Sequence, residues 1–272
     1  MLKQLLKYEF KATCGYYGSA YLVLLASALL LGLGATHMPQ AEMETVWAIM
    51  ALVYMGTILA IIVLTVQQII QRFTGNLLGR EGYLMHTLPV SPAQLILSKL
   101  LSSAVWGICS LCVGVLSVVV LMLASQPEFI FRMGELFSLL VGVLGDFPEE
   151  TGYVISLLAG AFLMFLAWAA CQVLRVYACC MVGHRVPRYM APVGIVSFFV
   201  ISAAQGWLEK LVVAGGTWLA VKVLGQQALV LTPGEGSFFW LYVVGFILMQ
   251  AVFGALYFLV TDWMMKNRLN LE

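Results

Sequence analysis

Charged residues are scarce in this sequence. Only 10% of its 272 residues are charged and 62% are hydrophobic, whereas soluble domains average about 25% charged residues. The mean hydropathy of +0.97 over the whole chain is too high to come from one unusually apolar core. The composition therefore predicts that most of the chain lies in lipid, and it excludes an ordinary soluble domain.

The sequence also lacks the motifs of a nucleotide-hydrolysing or metal-dependent enzyme. A phosphate-binding loop needs Gly-Lys followed by Ser or Thr, and no Gly-Lys dipeptide occurs. Metal-dependent hydrolysis needs clustered His and carboxylate ligands, but His37, His86 and His184 fall in three separate loops. The acidic pair Glu149–Glu150 is typical of a solvated loop end. We therefore expect no catalytic residue, no metal site and no directly bound cofactor: the chain is not predicted to be an enzyme.

The positions of the cysteines and the absence of basic tracts argue against a disulfide-bonded protein and a nucleic-acid-binding protein. None of the six cysteines falls in a predicted external loop, so a disulfide framework is not expected. Cys109 and Cys112 form a C-x-x-C pattern inside an apolar helix, where small apolar filler is the better interpretation than a redox or metal site. No basic tract indicates nucleic-acid binding.

Six apolar runs are long enough to cross a bilayer, which takes about 20 residues. The fifth carries Pro192 and Gly194 near its start and is followed by a further apolar segment. The fold class predicted is an all-α polytopic membrane protein, a single transmembrane domain over 1–272. Its predicted spans are 17–36, 46–70, 100–124, 153–174, 189–206 and 238–261.

The distribution of charge predicts the orientation of these spans. With both termini in the cytoplasm, the inner segments hold most of the 14 basic residues and leave outside only Arg132, Lys210 and Lys222. Most acidic residues, Glu209 among them, then fall outside. The six runs themselves contain no Asp, Glu, Lys, Arg or His. This argues against an ion-coupled carrier, which usually keeps such residues in its spans.

Three segments beyond the spans are predicted to be helical. Segments 129–147 and 207–224 are too long for simple turns and are expected to lie at, or dip into, the outer interface. Near the N-terminus, leucines recur at helical spacing while Lys3, Lys7 and Lys11 lie mostly on another face. This pattern predicts an amphipathic helix on the cytoplasmic surface, with its lysines at anionic headgroups. A charged flank of the first span is the simpler interpretation, and both can hold.

The segment between the second and third spans is the most distinctive. Ser91, Pro92 and Gln94 have the spacing of an N-cap, a first helical position and a capping-box partner, so a helix is predicted to begin at Pro92. Pro89 ends whatever precedes it. From Gly79 to Pro89 there is room for about two helical turns. A short, partly apolar cytoplasmic helix of this kind suits docking in a groove on another protein.

These residues carry a resemblance to a known family. The runs Glu81-Gly-Tyr-Leu84, Thr87-Leu-Pro-Val-Ser91 and Leu95-Ile-Leu-Ser-Lys99 resemble the second cytoplasmic loop of type-2 ABC exporter permeases from Gram-positive bacteria. The opening Leu5-Leu-Lys-Tyr-Glu-Phe-Lys-Ala-Thr13 is similar to that family's N-terminal segment. Cys14 and Gly15 depart from it, because a more basic continuation is expected there.

The resemblance implies a permease driven by a separate ATP-binding cassette subunit, present in two copies, that binds ATP and Mg. A second permease chain, identical or related, would enclose the pathway, and the substrate would be a hydrophobic or amphipathic peptide, drug or lipid leaving a bacterial cell. The cytoplasmic loop would be the coupling element, and the amphipathic N-terminal helix would also contact the ATPase. The loop's implied contact residues are Gly79, Arg80, Glu81, Gly82, Tyr83, Leu84, Met85, His86, Thr87, Leu88, Pro89 and Ser91.

Two other functions stay open. A membrane scaffold or sensor subunit of a signalling or resistance complex would form the same complex without moving a substrate. An ion-coupled carrier is disfavoured only by the uncharged spans.

Overall fold

The structure, a computed structural model, describes residues 2–37, 43–75, 91–126, 128, 134–135, 138, 148–224 and 236–267. Within these ranges the regular structure is helical and no strand occurs. The predicted coupling helix between Gly79 and Pro89 and almost all of segment 129–147 lie outside the described residues.

The described residues form six long helices, and each contains a stretch long and apolar enough to cross a membrane. Large apolar side chains such as Leu22, Leu52 and Leu241 are 70 to 74% exposed along them, as expected of lipid-facing residues. The prediction of six spans is confirmed in this sense, while the side of the membrane on which the termini lie stays a prediction. The helices are α1 (Leu2–His37), α2 (Met43–Phe73), α3 (Pro92–Ser125), α4 (Pro148–His184), α5 (Met190–Leu224) and α6 (Gly236–Asn267).

The helices are longer than the predicted spans. They contain from 31 to 37 residues, which at about 1.5 Å per residue exceeds the roughly 30 Å hydrocarbon core. The N-terminal segment is helical as predicted, but it is the continuous first part of α1 and not a separate helix. The prediction of a separate helix over 207–224 is wrong, because α5 runs from 190 to 224 without a break. The end of the span at 206 stays a prediction. Pro192 is tolerated because it lies in the first turn, where its missing N–H has no intrahelical partner.

The predicted start of α3 is confirmed. The helix begins at Pro92, and the Gln94 amide donates to the Ser91 hydroxyl oxygen at 3.4 Å and to the Ser91 carbonyl at 2.9 Å. Ser91 therefore caps the helix from the last position of the predicted coupling loop.

The chain divides into two compact units, the first formed by residues 1–72 and 97–151 and the second by 73–96 and 152–272. The core of the first unit is a buried cluster of Leu24, Ala28 and Leu31 on α1 with Tyr54 and Ile61 on α2. The Tyr54 hydroxyl lies 2.9 Å from that of Ser117, which ties α3 to this core. The prediction of a single domain over the whole chain stays a prediction.

In the second unit, α4 and α5 form a tight hairpin through a short 3₁₀ turn, Pro187–Tyr189. A Cβ at Gly183 would lie 2.6 Å from the Met190 carbonyl oxygen and 3.2 Å from the Gly194 Cα. The two helices therefore approach this closely only because position 183 has no side chain.

We expect Gly183→Ala to destabilise the protein by about 1–3 kcal/mol, because the methyl group meets backbone atoms that cannot move independently. Thermal unfolding in detergent measures the effect. Gly206→Ala in α5 is the matched control: nothing lies within 4 Å of its added Cβ, so it should be neutral or slightly stabilising. Equal effects of the two substitutions would contradict the close approach at Gly183.

Candidate functional site

The residues that the sequence assigns to ATPase contact fall mostly outside the described residues. Ser91 is exposed and caps α3, and Lys7 and Lys11 are exposed on α1. Lys3 lies in α1, but its side chain is outside the part that the structure describes. The predicted contact surface therefore stays a prediction. The remaining loop residues outside the described ranges are Gly79, Arg80, Glu81, Gly82, Tyr83, Leu84, Met85, His86, Thr87, Leu88 and Pro89.

A buried ion pair lies in the first unit. Lys99 of α3 donates to a carboxylate oxygen of Glu9 on α1, and their side chains are only 2% and 9% exposed. Thr13, one turn after Glu9, donates its hydroxyl to the Glu9 carbonyl at 2.8 Å. Lys99 is not among the three basic residues expected outside, so the charge distribution counts it only as a cytoplasmic cation. No sequence pattern pairs it with Glu9, which lies 90 positions earlier.

Aromatic rings continue the contact between α1 and α3 beside the ion pair. Tyr17 stacks on Trp106 with ring centroids 4.3 Å apart and planes 8° apart, and Phe10 lies 6.1 Å from the same indole. The Tyr21 hydroxyl lies 2.7 Å from that of Ser110. We call the ion pair with these rings the Glu9 cluster. It joins the start of α1 to the start of α3 through charge and through apolar stacking.

In the second unit, a larger polar network joins α4, α5 and α6. The Gln205 carbonyl oxygen accepts from the Tyr257 hydroxyl at 2.7 Å and from the Arg175 guanidinium at 3.4 Å. The Gln205 amide nitrogen donates to Glu209 at 2.7 Å, and the Gln250 amide nitrogen donates to the same carboxylate oxygen at 3.1 Å. We call these five residues the Gln205 network.

The carboxylate of Glu209 fixes the orientation of both amides in the network. Since a carboxylate oxygen only accepts, each glutamine must turn its nitrogen toward Glu209. Gln205 therefore presents its oxygen to Arg175 and Tyr257 and separates the two charges by one amide. Arg175 also lies over the Phe198 ring, 5.0 Å from its centroid, which supports the cation in an apolar surrounding.

This network extends beyond the predicted spans. The described apolar stretches Val154–His184 and Met190–Gly215 are longer than the predicted runs 153–174 and 189–206, so they include Arg175 and Glu209. The side of the membrane on which Glu209 lies stays a prediction. Because α5 continues past 206, Glu209 lies one turn after Gln205 and shares a hydrogen bond with α6.

A sequence signal for the network exists. Gln205 and Glu209 are four residues apart on α5, and Gln250 and Tyr257 are seven apart on α6, so each pair lies on one face of its helix. Polar residues repeating at helical spacing in apolar runs indicate a face turned away from lipid.

No protein-family model, curated protein or solved structure matches this chain. Among the described residues, no group of three or more His, Cys, Asp or Glu could hold a metal ion. The two polar clusters and the resemblance of the loop are therefore the features of this chain that bear on its function.

The Glu9–Lys99 pair should behave as a coupled unit. We expect Lys99→Met to destabilise the protein by about 3 kcal/mol, because it leaves the Glu9 charge buried without its cation. Glu9→Gln should also destabilise. The double variant should recover most of the loss, since neither charge is then left unpaired. Thermal unfolding of the four proteins completes the cycle, and additive effects would contradict the coupling.

Gln205 should matter more to stability than its partner Tyr257. Gln205→Leu removes the bridge between Arg175 and Glu209 and should destabilise by about 2–3 kcal/mol. Tyr257→Phe removes one hydrogen bond and should destabilise by about 1 kcal/mol or less. Unfolding in detergent ranks the two variants, and the reverse order would show that Gln205 does not connect the network.

Proposed function

We propose that this protein is the membrane-spanning permease subunit of an ATP-binding cassette exporter in a bacterial cell membrane. A separate ATPase subunit, in two copies, would bind ATP and Mg and drive it. A second permease chain would complete the pathway for a hydrophobic or amphipathic substrate. Six long apolar helices and the resemblance of the loop and the N-terminus support this proposal.

One observation carries the proposal furthest. The resemblance implies ATPase contact for two segments, the loop up to Ser91 and the start of α1. Each segment lies next to one of the two residues of a buried ion pair. Ser91 caps α3, and eight residues later, about 12 Å along the helix, Lys99 binds Glu9 of α1. A force applied by the ATPase at either segment would therefore act on the Glu9–Lys99 ion pair.

This arrangement suits transmission of movement. A hydrogen-bonded helix moves as a stiff body, and a buried ion pair resists separation because each charge would be left without its partner. Displacement of the start of α3 would thus move the start of α1 with it, as in rigid-body switching.

We expect Leu84→Asp together with Leu88→Asp to uncouple ATP hydrolysis from transport, because charges replace the apolar anchors that would enter the groove of the ATPase. Co-purification with the ATPase, together with ATP-dependent substrate flux in proteoliposomes, measures the effect. Leu84→Met with Leu88→Met is the matched control and should retain coupling. A folded Asp variant that remains fully coupled would contradict the proposed contact.

A second candidate, an ion-coupled carrier, gains support from the Gln205 network, since Arg175 and Glu209 lie within apolar stretches. The same proteoliposomes separate the candidates. Flux that needs ATP supports the exporter, whereas flux that persists without ATP and stops when the ion gradient is removed supports the carrier. A complex with the ATPase that moves no substrate under either condition supports the scaffold.

A further inference from the structure

An apolar cleft lies between α4 and α6 in the second unit. Its walls are formed largely by small residues, among them Ala167 and Ala170 on α4 and Ala251, Gly254 and Ala255 on α6. Larger apolar side chains, such as Leu174 and Phe258, also line it, as does Gln250. The cleft exists because these small residues leave the space between the two helices unfilled.

Gln250 gives the cleft an unusual chemical feature. The residue is 2% exposed, and its amide nitrogen already donates to Glu209. Its carbonyl oxygen is buried and has no hydrogen-bond partner among the described residues. An unpaired buried acceptor is unfavourable by about 1–3 kcal/mol, so a donor that reached it would be held strongly.

The charge of the surrounding network indicates what kind of donor fits. Arg175 and Glu209 carry opposite charges joined through Gln205, so the network is neutral as it stands. An ammonium group would add an unpaired charge in an apolar cleft, and a carboxylate has no hydrogen to donate to the Gln250 carbonyl oxygen. An uncharged hydroxyl or amide N–H can donate to this oxygen without adding a charge.

We propose that this cleft binds an apolar chain that ends in an uncharged hydrogen-bond donor, which donates to the carbonyl oxygen of Gln250. The chain packs along Ala167, Ala170 and Ala251, and the donor completes the Gln205 network. The binding concerns this chain alone, without an ATPase, so it holds or fails independently of the proposed transport function.

The test uses the purified full chain in phosphatidylcholine nanodiscs, whose headgroup has no hydrogen-bond donor. A photoreactive diazirine analogue of 1-dodecanol is cross-linked and the labelled peptides are mapped. We expect labels on α4 near Ala167–Leu174 and on α6 near Ile247–Leu259. Competition with unlabelled 1-dodecanol should be about tenfold stronger than with its methyl ether, which lacks the donor, since one hydrogen bond is worth about that factor. Dodecylamine and dodecanoate should compete no better than the ether.

Two variants separate the donor contact from the cleft. Gln250→Met should abolish the preference for the alcohol over the ether. Ala251→Phe should fill the cleft and weaken both, while Val252→Phe, at a 60% exposed position of α6 that does not line the cleft, should weaken neither. Because Ala251→Phe leaves the network intact, the test does not depend on the folding of the Gln250 variant.

Several results would overturn the proposal. Equal competition by the alcohol and the ether would show that no hydrogen bond to Gln250 forms, and stronger competition by the amine would show that charge governs binding. Loss of a dimer with Ala251→Phe, without any change in alcohol binding, would show that a second copy covers the cleft. Diacylglycerol added to the nanodiscs distinguishes the source of the donor: competition by it indicates a membrane lipid, and competition by added alcohol alone indicates a free amphiphile.

Discussion

The absence of water in the bilayer core is the constraint on which this structure depends. Each backbone N–H and C=O in the apolar stretches must bond within its own helix, so the described spans are long and unbroken. The same constraint applies to side chains. A polar group in such a helix is stabilised by another, as Glu9 and Lys99 are in the first unit and Gln205 and its partners are in the second. The polar contacts therefore locate the points where helices are held together.

The two units meet this requirement in different ways. In the first, opposite charges touch directly, and the aromatic stack of Tyr17 on Trp106 continues the contact between the same helices. In the second, an amide stands between Arg175 and Glu209, and hydrogen bonds from three helices converge on it. A direct ion pair is well suited to hold two helices in one arrangement. An amide-bridged network has more donors and acceptors than its own members use, which suits it to exchange partners.

Much of the fold could be predicted from the sequence because hydropathy reports directly on lipid contact. The six helices follow from apolar runs, and the start of α3 follows from Ser91 and Pro92, whose roles depend only on local backbone chemistry. The continuation of α5 past 206 could not be predicted in the same way. From the sequence alone, Glu209 is interpreted as an acidic residue of an outer segment, because its partner Gln250 lies 41 positions later and cannot be identified. Lys99 is likewise interpreted as a cytoplasmic charge, because its partner Glu9 lies 90 positions earlier.

Charge counting and pairing therefore answer different questions. The positive-inside pattern treats each charged residue alone and in water, which is adequate for loops. It fails for residues that are neutralised by a partner, because a paired charge is no longer excluded from an apolar helix. Arg175 illustrates the difference: it lies inside α4 rather than in a loop, and its guanidinium donates to Gln205 and packs over the Phe198 ring. In a chain with so few charges, those that are buried in pairs carry the most information about function, since each must be stabilised by specific neighbours.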